Sequence, residues 1–164
     1  MSAISLFHGD NLTVMRKCIK DASIDLVYLD PPFNSNQNFR LLASHDKSGN
    51  RSNHDIAYND HWKWDDEAAE NFDRIVEADQ PQLKDTLQGF KMLLGESDRL
   101  SYLVMMAPRL RELHRILKDS GSIYLHCDQS ASSYLRLLLD GIFGPENFLN
   151  SIVWCYGLGG SSNR

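Results

Sequence analysis

Four apolar runs of strand length punctuate the chain: "AISLFH" at 3–8, "SIDLVYLD" at 23–30, "SIYLHC" at 122–127 and "NSIVWCY" at 150–156. The second run does not alternate apolar with polar residues. A strand of that kind is expected to be covered on both faces, as in a parallel sheet. Between the runs the apolar spacing turns helical. Leu12, Met15 and Ile19 stand at i, i+3 and i+7, with Arg16, Lys17 and Lys20 placed to complement the C-terminal end of a helix dipole. Leu103, Met106, Leu110, Leu113 and Leu117 make one stripe along 101–118, with Pro108 as a possible kink and Ser120-Gly121 as the stop. Residues 130–144 read as a helix capped by Asp128 or Ser130 and closed by Gly144-Pro145. Two further helices are expected, one over 61–78 with acids in its first turns and one over 80–98.

Strands and helices in this order predict an α/β fold with a largely parallel sheet and helices on both faces. Residues 34–60 interrupt the pattern with a polar stretch rich in Asn, Ser, Asp and His. It predicts a long loop after the second strand, of the kind that is functional or disordered. In open parallel sheets, ligands sit beyond the carboxyl ends of the strands. Asp10, Asp30 and Asp128 each fall just past an expected strand end. The plain alternative for each is a turn or helix-cap aspartate. Trp62 and Trp64 precede the acidic helix, and packing is the simpler reading for both.

Composition narrows the class. A chain of 164 residues with 42% hydrophobic and 24% charged residues is an ordinary globular domain, and no apolar run is long enough to span a bilayer. No basic, apolar leader opens it, so a cytoplasmic location is the expectation. The net charge of −5 argues against the chain gripping DNA alone. Cys18, Cys127 and Cys155 are widely spaced, and the six histidines form no ligand pattern. Free thiols and no metal are expected.

The stretch Asp30-Pro31-Pro32-Phe33 carries the chemistry. Pro31 and Pro32 offer carbonyls but no N–H, on a chain held near φ −65°. An ionised Asp30 accepts and does not donate. Fixed acceptors beside an aromatic face suit an amino group attached to a planar ring. Asp30 and the Pro31 carbonyl can take the two amino hydrogens while Phe33 stacks on the ring. Such acceptors favour the less conjugated amine, which can attack an electrophilic carbon directly, with rate drawn from positioning and electrostatics.

These residues resemble those of the S-adenosylmethionine-dependent DNA amino-methyltransferases, which methylate adenine N6 or cytosine N4. The resemblance rests on four ordered blocks: "LFHGDNLTVMRKCIKDASIDLVYLDPPFNSNQNF", "AYNDHWKWDDEA", "YLVMMAPRLRELHRILKDSGSIYLHCD" and "IFGPENFLNSIVWCYG". They match the subgroup in which the catalytic block precedes the cofactor block. The resemblance implies a Rossmann-like methyltransferase sheet. It implies that Asp30, Pro31 and Pro32 hold the target amino group and that Phe33 stacks on a base flipped out of the duplex. It implies that Gly9 and Asp10 contact the cofactor adenine, with Asp30 near its methionine end. Trp154 is a candidate for the base pocket or for core packing. Asp at the first tetrad position favours adenine over cytosine. Double-stranded DNA, a homodimer and a restriction subunit are the partners implied.

The same resemblance predicts a target-recognition region and a Gly-rich cofactor strand that these 164 residues do not show. The expectation is therefore a single incomplete catalytic domain over 1–164, the N-terminal half, weak in cofactor binding and inactive by itself. A noncatalytic subunit completed by another chain is the competing reading.

Overall fold

The computed structural model describes residues 4–34, 38–40, 56–78 and 81–155. In chain order these form α1 (Asn11–Cys18), β1 (Ile24–Leu29), β2 (Asn38–Arg40), β3 (Ile56–Asn59), α2 (Asp66–Glu77), α3 (Pro81–Leu94), α4 (Asp98–Ile116), β4 (Leu117–Leu125) and α5 (Gln129–Phe143). A single 3₁₀ turn, Pro145–Asn147, follows. Each helix start has a chemical cause. The side chains of Asp10, Asp65, Ser97 and Asp128 accept from the backbone N–H three residues on, satisfying donors that a helix leaves orphaned.

α4 is the hub of the helical layer. It packs on α1, α2, α3 and α5, and Leu100, Leu103, Ala107 and Leu110 along it are fully buried. The helix runs unbroken through Pro108. α1 is fastened to α4 by Arg115, whose guanidinium donates to the Met15 carbonyl at 3.0 Å and the Ile19 carbonyl at 3.3 Å. Those are C-terminal carbonyls of α1, so a cation from another element does the work that Arg16 and Lys17 suggested locally. Arg115 is itself held by Glu112 and Asp21.

β1 and β4 pair in parallel, Leu26 opposite Ser122 through Leu29 opposite Leu125, after a register break between Ile24 and Leu26. Gly121 lies at that irregularity: a Cβ there would stand 2.7 Å from the Leu117 side chain. β2 and β3 form a separate antiparallel pair. They lie inside the stretch expected to be one long loop; most of the rest of it is outside the described residues. Strands of three and four residues are too short to leave a periodic signal.

Three expectations change. The first is the covering of β1. Val27 is in the core, and Leu29, Ile123 and Leu125 pack against it, but Leu26, Tyr28 and Tyr124 are exposed. Only one face of this sheet meets helices among the described residues; on the other, Tyr28 and Tyr124 stack on each other at 6.4 Å. The second is the run at 3–8: residues 4–8 form no strand. The third is the run at 150–156: residues 150–155 form none either. Strand formation needs a ladder partner, and these segments pair with no strand among the described residues. Ile4, Leu6, Phe7, Leu149, Ile152 and Val153 are correspondingly exposed. Trp62 and Trp64 do pack, against Tyr102 at 6.2 Å and Phe72 at 6.0 Å.

Candidate active site

The parallel ladder delivers two chain segments to one rim. The Leu29 carbonyl closes β1 by accepting from the His126 N–H at 2.9 Å. The next residue of one strand, Asp30, therefore stands beside the first residue past the other. His126 Nδ1 lies 3.2 Å from Asp30 Oδ1, with both side chains more than half exposed. The same imidazole meets the Phe33 ring edge-on, centroids 5.3 Å apart. One residue thus touches both ends of the tetrad.

Pro31, Pro32 and Phe33 are half-buried. The turn ends at Asn34, whose φ of +59° is left-handed, a region that asparagine tolerates better than most residues. This geometry aims the Asn34 N–H at Asp60 Oδ1, 2.8 Å away. Asp60 is only 1% exposed. Trp62 and Tyr102 lie close by. Burial raises the Tyr102 hydroxyl well above its ordinary pKa, and the nearby Cys127, Asp60 and Asp128 push it further. Burial, with Asp128 adding to it, also raises the Cys127 thiol. Asn34 Oδ1, Trp62 Nε1 and the Tyr102 hydroxyl have no hydrogen-bond partner among the described residues. The turn after the tetrad is therefore held by a buried carboxylate with other buried polar groups close to it.

Gly9 and Asp10 stand at a different helix start. Gly9 has φ +138°, where other residues are strained, and open space where a Cβ would be. Asp10 caps α1: its Oδ1 accepts from the Thr13 N–H at 2.9 Å and hydroxyl at 3.0 Å. Its Oδ2 accepts from Arg109 at 2.5 Å. Partial burial raises the Asp10 carboxyl, but the Thr13 donors and Arg109 outweigh it, and the net shift is downward. Asp10 stays ionised and has lone pairs to spare, so it fits an incoming amino group such as that of adenine. Gly9 precedes Asp10 directly, at the start of the same helix. Asp128, by contrast, is used as the cap of α5. Trp154 is 82% exposed and packs neither in the core nor on the tetrad.

Sequence reasoning named the tetrad but assigned no site role to His126, Asp60 or Arg109. His126 had a faint signal, a polar residue closing an apolar strand. Asp60 and Arg109 had none, since their roles depend on contacts across the fold. Two shallow pockets of about 200 and 180 Å³ lie among residues of α1–α5 and include no residue of the tetrad. Among the described residues no helix is long and apolar enough to cross a membrane, and no group of three or more His, Cys, Asp or Glu is placed to hold a metal.

A model of the DNA methylase family, covering N6 and N4 enzymes, matches residues 24–164. The chain belongs to this family. It is 30% identical over 148 residues to the Mod subunit of the type III restriction-modification enzyme StyLTI of Salmonella typhimurium, covering 89% of this chain and 19% of that protein. It is 29% identical to the type II methyltransferase M.KpnI of Klebsiella pneumoniae, over 98% of this chain and 28% of that protein. The EcoP15I Mod subunit of Escherichia coli is 26% identical over 91% of this chain and 20% of its own length. The chain thus spans between a fifth and somewhat over a quarter of the curated relatives it matches.

Proposed function

We propose that this chain supplies the catalytic half of a DNA methyltransferase that modifies the exocyclic amino group of a flipped base, adenine N6 in the first instance. The observation that carries the reading is the Asp30–Phe33 tetrad: acceptors without donors, beside an aromatic ring, at the open end of a parallel sheet. Asp30 and the Pro31 carbonyl accept the amino hydrogens and hold the nitrogen with its lone pair directed outward. Pro31 and Pro32 keep those acceptors rigid, so little ordering remains for the moment of reaction. Phe33 stacks on the base taken out of the duplex. Bound S-adenosylmethionine supplies an electrophilic methyl group; Gly9 and Asp10 would hold its adenine. Aspartate in the first tetrad position supports adenine over cytosine.

The remaining strands and the DNA-reading region are assigned to polypeptide outside residues 1–164. Two features support this. Apolar side chains at 4–7 and 149–154 lie exposed, and the parallel sheet has two strands among the described residues; the relatives are several times longer. Resemblance to Mod subunits supports a restriction subunit as partner and a cytoplasmic setting.

The test is methyl transfer to DNA by the enzyme in which this chain is completed by its cofactor half. Asp30→Ala is expected to abolish transfer while leaving the fold intact, because Asp30 is exposed. Retained transfer would reject the assignment. Analysis of the product nucleosides separates N6-methyladenine from N4-methylcytosine.

A further inference from the structure

We propose that His126 is a positioning residue that fixes which oxygen of Asp30 receives the target amino group. The inference rests on the reading of the tetrad given above. It starts from two contacts made by one ring: Nδ1 to Asp30 Oδ1 at 3.2 Å and the ring against Phe33 at 5.3 Å. An ionised carboxylate has no proton to give. The Nδ1···Oδ1 approach is attractive only with a proton on Nδ1. A neutral His126 must then carry its proton on Nδ1 and leave Nε2 bare. Asp30 is exposed and could rotate freely about its side-chain bonds. Attraction between Oδ1 and His126 biases that rotation and favours Oδ2 as the oxygen open to a substrate N–H.

The ring is well placed to do this. Its own backbone N–H is locked to the Leu29 carbonyl, one residue before Asp30, so imidazole and carboxylate share a rigid base. Its edge contact with Phe33 ties the stacking face to the acceptor. The other ionisable side chains nearby are committed elsewhere. Asp128 caps α5 through Ala131 and Ser130, and the Cys127 thiol is raised by burial.

Two measurements decide the matter. The first is the tautomer of His126 in the 164-residue chain, read from long-range ¹H–¹⁵N correlations above the pH at which the ring deprotonates. The proton is expected on Nδ1 in the wild type and on Nε2 in Asp30→Ala. A wild-type ring protonated on Nε2, or one that ignores the Asp30 substitution, would overturn the proposal. The second is kinetic, in the completed enzyme. His126→Ala is expected to lower kcat by about tenfold or more, as misplacement of a reacting group does, with KM for DNA little changed. An asparagine amide nitrogen sits near the position of Nδ1, whereas that of glutamine sits nearer Nε2. His126→Asn should therefore recover most of the rate and His126→Gln should not. Equal losses in the two variants count against positioning through Nδ1. If the completed wild-type enzyme transfers no methyl group to DNA, the functional reading fails, yet the tautomer measurement still decides the contact.

Discussion

Asn34 makes the local design plain at the scale of single residues. A left-handed residue directly after two prolines and a phenylalanine needs something to hold it, and the buried Asp60 carboxylate does so. Removing that acceptor leaves a backbone donor unsatisfied, which costs about 1–3 kcal/mol where water cannot reach. Asp60→Ala should accelerate amide hydrogen exchange at Asn34 by an order of magnitude or more, whereas Asp60→Asn, which keeps an acceptor oxygen, should stay near wild type. Equal exchange in all three proteins would show that Asp60 does not hold the turn. Asp10 gives the opposite lesson. The residue expected to meet a cofactor already serves as a helix cap and as the partner of Arg109. The two uses are compatible because a carboxylate has about four lone-pair directions.

At the scale of elements, α4 organises the rest. Its stripe was readable from periodicity: Leu103, Met106, Leu110 and Leu113 are buried as that stripe requires, whereas Leu117 already begins β4. Leu103→Ala should destabilise the chain by roughly 2–5 kcal/mol, the usual cost of emptying a leucine-sized space in a packed core. Met92 on α3 is 90% exposed, so Met92→Ala should change stability by no more than about 0.5 kcal/mol. Chemical denaturation of the two variants checks both; similar midpoints would mean that α4 is not the hub. The two predicted strands that do not form over the described residues 4–8 and 150–155 fail for a shared reason. Their composition is that of strands, but composition supplies only half of a ladder. The β2–β3 pair errs in the other direction: tertiary pairing makes strands of residues whose sequence does not announce them.

For the whole molecule, the sheet is the decisive feature. β1 and β4 carry the tetrad and His126 on one rim, yet among the described residues one sheet face and the apolar side chains at 4–7 and 149–154 lie open. Gly9 and Asp10, the proposed cofactor contacts, follow a segment that forms no strand among the described residues. The chain alone is therefore expected to bind S-adenosylmethionine weakly, and titration calorimetry checks this; tight, saturable binding would show that these residues suffice. Some of this was legible in the sequence: the helices and the two strands of the parallel pair, together with the acceptors, rigidity and aromatic face that the residue types of Asp30–Phe33 dictate wherever the chain goes. Local chemistry determined those, because caps, helical periods and proline act over a few residues. The tertiary structure alone decided that His126 stands against Asp30 and Phe33, that Asp60 grips the turn from 26 residues away in sequence, and that one sheet face remains uncovered. Each of these depends on which segments meet in space, and the parallel pairing of strands nearly a hundred residues apart is a property of no local stretch.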